Sequence, residues 1–280
     1  MTPPQTMLDR PGEPDPCEGC AAKSLWCLVS GGKDSLATAR HLSERGLLAG
    51  VVYLRTGIGW RGAEEHVRSV ARSENWTIEA YGPTPAPAYA AAPGISAYEA
   101  LVLRYGFPGP PSHTWAMHLL KGRGIQAFHK AHPGAELASG VRRGESKRRF
   151  GTAKPMSLYD RRIVIRAPIL YWSSEATWRF VRERGLEVSP AYQVLGLSGE
   201  CACGGMAQKG EAALWRELDP GLWAGISALQ ESPLFGPKVR PEYRTWGWGK
   251  PQDFAAAAAR SDPLEAAVCG GVCGLPEAKP

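Results

Sequence analysis

The chain has 280 residues, 44% of them apolar, and 33 basic against 27 acidic side chains for a net charge of +6. That length holds two domains or one large α/β domain, and that apolar content builds a core, which excludes wholesale disorder. No apolar run reaches the roughly eighteen residues of a membrane span, and residues 1–20, with five prolines and no apolar stretch, do not read as a secretory leader.

Taken in chain order, residues 1–22 read as a mobile tail, because proline removes backbone donors and little there can be buried. Leu25–Val29 is a short apolar run ending in Ser30-Gly31-Gly32, which suits a buried strand feeding a tight turn. Helical patterning from Ser35 to about Arg45 is closed by Gly46, and Leu48–Leu54 is a second buried strand. Ala63, Val67, Val70 and Ala71 share one helix face, and Thr77–Tyr81 is a third strand. This alternation predicts an α/β fold with a doubly wound, mostly parallel, Rossmann-like sheet whose ligands sit beyond the carboxyl ends of the strands.

Residues 82–96 read as a proline- and alanine-rich surface loop, followed by helices at about 97–105 and 114–131. Glu136–Val141 and Arg162–Ile169 are further strands, and a helix capped by Ser174 runs to about Arg184. Residues 211–230 are helical, and 233–280 are rich in proline, tryptophan and glycine around an Ala255–Ala259 run. The expected organisation is a tail over 1–22, an α/β domain over 23–198 and a smaller cysteine-bearing part over 199–280.

Ser30-Gly31-Gly32-Lys33-Asp34-Ser35 carries the most chemistry. Two glycines let the backbone approach a ligand, two hydroxyls and the free N–H groups of the next helix donate to it, and Lys33 adds a positive charge. The combination favours a polyanion such as pyrophosphate. It is not the nucleoside-triphosphatase P-loop, since Cys27 stands where that motif needs glycine. The loop resembles the SGGxDS signature of the PP-loop nucleotide-binding superfamily. Further stretches resemble its phosphoadenylylsulfate-reductase-like branch. Tyr53 to Trp60 is similar to a second-strand motif centred on Thr56-Gly57, with Arg55 in place of the family's aspartate. Gly140-Val141-Arg142-Arg143-Gly144-Glu145-Ser146 with Arg148 and Arg149 resembles its arginine motif. Pro168–Trp172, then Trp178, resembles a third.

The resemblance implies that Ser30, Gly31, Gly32, Lys33, Asp34, Ser35, Thr56, Gly57, Gly140, Arg142, Arg143, Glu145, Ser146, Arg148 and Arg149 bind an adenine nucleotide. Lys33 and Asp34 would act at its phosphates. The nucleotide is ATP with Mg²⁺, or phosphoadenylyl or adenylyl sulfate. The arginines suit phosphate or sulfate oxygens by their forked donors, although a nucleic-acid backbone or plain solvent would suit them too. Tyr105 to His113, then Trp115 and Lys121, resembles a segment of phage and prokaryotic reductase-like proteins in which iron–sulfur members often place cysteines. His113 stands here as a ligand, an acid–base group or a hydrogen-bonded structural residue.

Six of the seven cysteines form close pairs, which fits metal or redox ligands in the cytoplasm better than a disulfide framework. Cys201, Cys203, Cys269 and Cys273 supply four thiolates, the ligand count of a [4Fe–4S] cluster or of zinc. Cys17 and Cys20 are a second choice, and Cys27 is a core residue. Cys273-Gly274-Leu275 is a partial match to the catalytic tail of sulfonucleotide reductases, with Val272 and Pro276 in place of its usual neighbours. The leading expectation is an enzyme that adenylates a substrate with pyrophosphate release and supports sulfur transfer from a donor such as a cysteine desulfurase. The alternatives are sulfonucleotide reduction through Cys273 with thioredoxin, and a non-catalytic accessory protein that binds nucleotide or nucleic acid.

Overall fold

A computed structural model describes residues 15–83, 95–145 and 147–249, with 147–149 by backbone alone. Cys269, Cys273, Ser146 and the Ala255–Ala259 run lie outside the described residues. Six strands, β1 (Leu25–Leu28), β2 (Leu48–Leu54), β3 (Ile78–Tyr81), β4 (Glu136–Ala138), β5 (Met156–Tyr159) and β6 (Ile163–Arg166), form one sheet in the order β3-β2-β1-β4-β6-β5. Every pairing is parallel except β5 with β6, so the expected doubly wound, mostly parallel sheet is present.

Alternation along the central strands sends side chains to two faces. Leu25, Cys27, Val51 and Tyr53 enter one core with helices α1 (Lys33–Glu44), α2 (Ala63–Ser73) and α7 (Ser174–Glu183). Val52, Leu54 and Leu137 enter a second with Ile125 and Phe128 of α5 (Arg123–Ala131). A third cluster joins Ile58 to α3 (Ala97–Tyr105), α8 (Ala191–Leu195), α9 (Glu211–Leu218), α10 (Pro220–Gln230) and Trp246. Residues 199–249 share this core with α3, so the boundary expected at 198 runs through packed side chains. At about 25 cal/mol per Å² of apolar surface, such a shared core holds the two parts together.

Four local differences have physical causes. Residues 15–22, expected as tail, form a turn whose Cys17 is buried in the first core, tied down by an Asp15–Arg45 ion pair at 2.6 Å. Strand β5 was not expected; it pairs with β6 from Tyr159 and Ile163 outward through the three residues 160–162, where positive φ at both Asp160 and Arg161 reverses the chain tightly. Ser173 rather than Ser174 caps α7, accepting from the Ala176 N–H at 3.0 Å. The helix expected over 211–230 breaks at Asp219, whose carboxylate caps Leu222 ahead of Pro220. Among the described residues two further short helices, α4 (His113–Met117) and α6 (Lys147–Thr152), are present, and a π-helical turn over His118–Gly122 joins α4 to α5. Among the described residues no helix is long and apolar enough to cross a membrane.

Candidate functional site

Strand β1 lies between β2 and β4, so the loop after it opens where the connections part to either side, the usual ligand position in such sheets. Gly31 has φ +82°, and a Cβ there would stand 3.1 Å from the His66 ring and 3.3 Å from Val67. Only glycine fits both demands. The two serines brace the turn. Ser35 Oγ accepts from the Ser30 N–H at 3.2 Å and donates to Gly32 O at 2.9 Å.

The loop after β4 closes over this turn. Gly140 presses on the first turn of α1, where a Cβ would lie 2.7 Å from the Asp34 carbonyl carbon. Two residues on, buried Arg142 donates from Nε to Asp34 Oδ1 at 2.6 Å. Lys33 Nζ donates to the same carboxylate at 2.7 and 2.8 Å. Burial holds the Lys33 ammonium below the usual lysine range, with Asp34 opposing that shift and Arg142 adding to it. Glu175 is held below the usual carboxylate range by hydrogen bonds from its own N–H and from Ser173, with Arg142 and Lys33 acting the same way. Two carboxylates, Asp34 bonded directly and Glu175 nearby, thus face two buried cations, Lys33 and Arg142, beside the α1 N-terminus, whose free N–H groups favour an anion.

Trp178 stands 6.0 Å from Lys33 Nζ and meets Tyr192 edge-on at 5.8 Å. Burial raises the Tyr192 hydroxyl pKa, and the nearby Asp34 raises it further. Arg143 turns its guanidinium over the Tyr171 ring at 4.8 Å. Glu145 closes a short 3-10 turn, and Arg148 and Arg149 lie on α6. Thr56 is buried, donating to Glu200 O at 2.8 Å, and Gly57 has φ +73°. Arg55 points outward into an ion pair with Glu64 at 2.6 Å.

Residues 189–202 strap these parts together, a role the sequence pattern did not reveal. Ser189 N–H donates to Gly31 O at 2.9 Å, the Ser198 Cβ sits 3.2 Å from where a Gly32 Cβ would be, and Trp60 N–H donates to Gly199 O at 2.8 Å. Beyond the strap, Cys201 and Cys203 share a hydrogen bond. That bond, a Gly205 N–H and the Lys121 ammonium hold the Cys203 thiol below the usual range, while burial opposes them. Lys121 forms an ion pair with Glu200. Among the described residues no group of three or more histidine, cysteine or carboxylate side chains is placed to hold a metal. His113 packs near Gly205, its ring 2.8 Å from where a Cβ there would be.

No curated protein sequence matches the chain. Among solved structures, phosphoadenylyl-sulfate reductase from Candida auris, as a phosphate complex, is similar at 14% identity and TM-score 0.43, over 59% of this chain and 74% of that one. FMN adenylyltransferase from Candida glabrata is similar in complexes with FAD and inorganic pyrophosphate (12% identity, TM-score 0.40) and with ATP (13%, 0.41). Each of these covers 63% of this chain, which spans about half of the adenylyltransferase. The family model of the phosphoadenosine phosphosulfate reductase domain matches residues 24–194, more than half of the chain. Those residues contain β1, the glycine loop, the Thr56-Gly57 turn and the arginine loop, and by that match the chain belongs to the phosphoadenosine phosphosulfate reductase domain family.

Proposed function

We propose that the chain binds ATP at the Ser30–Ser35 loop and uses it to adenylate an acceptor, releasing pyrophosphate, as the first half of a sulfur transfer. The observation that carries this reading is the convergence of Lys33 and Arg142 on Asp34 at the N-terminus of α1, beside a fully formed Ser-Gly-Gly-Lys-Asp-Ser turn. In the bound state Lys33 turns from Asp34 to the phosphates, and the α1 N–H groups and the Ser30 and Ser35 hydroxyls donate to them. An acceptor oxygen attacks the α-phosphorus, and pyrophosphate leaves with its charge neutralised. Once Lys33 has turned to the phosphates, Asp34 would hold a phosphate-bound Mg²⁺ through its carboxylate, and the ion would offset the charge on the leaving pyrophosphate. Gly140, Arg143 and Glu145 shape the covering loop, with Arg148 and Arg149 on the helix after it.

Cys201 and Cys203 supply half of a four-thiolate set, with Cys269 and Cys273 as the other half. A [4Fe–4S] cluster or zinc held there would provide a sulfur-binding or structural centre, and Lys121 offsets the negative charge of the thiolates. A cysteine desulfurase would supply the sulfur. Sulfonucleotide reduction through Cys273 with thioredoxin is the second reading, favoured by the family itself.

The deciding assay follows pyrophosphate release from ATP with Mg²⁺ alongside sulfite release from phosphoadenylyl and adenylyl sulfate. Pyrophosphate release that disappears in Lys33→Ala supports adenylation. Sulfite release that disappears in Cys273→Ser replaces it with reduction.

A further inference from the structure

A cavity of about 270 Å³ lies beside the Thr56-Gly57 turn, walled by Gly57 and Ile58, by the first turn of α3 and by one face of α10. It sits at the low end of ligand pockets, about 300 Å³, with room for one or two fused rings and not for a nucleotide. Leu222, Ile226 and Leu229 recur on α10 at helical spacing and present one apolar face. Gly225 interrupts that face. Gly225 is exposed, and a Cβ built there meets nothing within 4 Å, so this part of the wall is open and a larger side chain would enter that space. Glycine inside a helix is destabilising relative to alanine, and neither packing nor backbone conformation at 225 calls for it, since its φ is not positive.

Among the described residues of the lining, Glu99 carries the one charged side chain. Its Oε2 accepts from the Ser96 N–H at 2.7 Å in the box that caps α3, which leaves Oε1 outside the box. At the Gly221 rim stands the Arg61 guanidinium, paired to Asp219, while on the α3 side Glu99 Oε1 offers an acceptor to an N–H donor. The α10 wall lies beyond the matched family domain, which ends at residue 194, so the cavity is particular to this chain's C-terminal part.

We propose that this cavity is a binding site for a flat, uncharged aromatic ring carrying an N–H donor, seated in the Gly225 notch with its donor on Glu99. Resting on the adenylation reading, the ring is the part of the acceptor that positions it at the carboxyl edge of the sheet, next to the nucleotide.

The test uses 5-fluoroindole as the probe, followed by ¹⁹F line broadening and by the methyl resonances of Ile58, Leu222 and Ile226. The full-length protein should broaden the probe line and shift those methyls. Gly225→Leu should weaken binding at least about tenfold while the thermal midpoint holds or rises, since leucine favours helix over glycine. Gly225→Ala, a single methyl, should weaken it by a smaller factor and serves if the leucine variant fails to fold. Glu99→Gln should weaken it as well. Lys33→Ala should bind the probe unchanged, so loss of nucleotide binding and loss of this site read out separately. Equal broadening by wild type and Gly225→Leu, methyls that do not move, or no broadening at millimolar probe would each overturn the proposal.

Discussion

Gly140→Ala probes the nucleotide site at its tightest point. The new Cβ would stand 2.7 Å from the Asp34 carbonyl carbon, 2.8 Å from its oxygen and 2.8 Å from the Ser35 nitrogen. All three are backbone atoms of the first turn of α1, so no side-chain rotation relieves the clash. Ordinary contact begins at 3.4 Å, and the loop has to retreat by roughly 0.7 Å. Carried two residues along, that retreat stretches the 2.6 Å Arg142–Asp34 bond to the outer edge of good hydrogen-bond geometry. Overpacking of this kind costs about 1–3 kcal/mol, which lowers the melting midpoint of a chain this size by roughly 2–10 °C. Affinity for ATP, read by calorimetry, should fall at least about tenfold, because buried Arg142 no longer shares the site with Lys33. Gly144→Ala is the control: it sits in the same loop, and a Cβ there meets nothing within 4 Å. If the two variants match in midpoint and in affinity, the close approach of this loop does not set the site.

Lys33→Ala should lose at least about tenfold in ATP affinity, the size of one charge-assisted hydrogen bond, with little change in melting because Arg142 still holds Asp34; unchanged calorimetric affinity would remove the lysine from the site. His41 packs edge-on against Trp172 at 5.2 Å, and burial lowers its pKa from 6.5 to about 4. Its neutral form is the one the fold accepts, so stability is full above pH 6.5 and falls as the pH drops toward 4, by up to about 3 kcal/mol. Urea melts of wild type and His41→Phe should diverge only below pH 6.5, and parallel curves would refute the assignment. Cys201→Ser should abolish iron or zinc in anaerobically purified protein, and full metal retention would show that the pair is no ligand. Arg55→Ala removes a half-exposed pair with Glu64 and should shift stability by less than about 1 kcal/mol in thermal melts; a larger loss would give Arg55 a structural role.

The central sheet was legible because its strands are buried on both faces and read as unbroken apolar runs. Leu48–Leu54 is such a run and forms β2 with those limits. The phosphate turn was equally legible, since glycine, serine and lysine at those offsets have few other uses beside a strand end. Strand β5 was not, because it is only four residues long and Met156, Ser157 and Leu158 are all exposed at the sheet edge, so its short apolar–polar alternation marks no buried face. Its turn also hides the usual sign, carrying Arg161 where glycine is expected at positive φ. Ser189 and Ser198 escaped notice, and Lys121 was read only as part of a resembling segment without its partner, for another reason. Their roles come from partners far along the chain, as with Lys121 and Glu200, 79 residues apart, and no local pattern marks such pairs.

The strap over 189–202 gives the proposed sulfur transfer its geometry. Through Ser189 it bonds to the phosphate turn, through Gly199 and Glu200 to the Trp60 and Thr56 turn, and through Ala202 to Ile58 O at 2.6 Å. Trp246 fixes its far end, donating to Ala202 O at 2.7 Å. Ser198 lies against Gly32, and Cys201 follows three residues later. A chain of three residues spans at most roughly 11 Å, so the first thiol is held within about one nucleotide length of the phosphate turn. The cysteines and the nucleotide loop are therefore two ends of one hydrogen-bonded element. In the proposed transfer, sulfur held at Cys201 and Cys203 would start within this same packed unit, since Cys203 lies in the core with Ala202 and Trp246 and Cys201 packs against it. A sulfur relay on a detached C-terminal part would require a rearrangement between separate domains, and the core that residues 199–249 share with α3 opposes it.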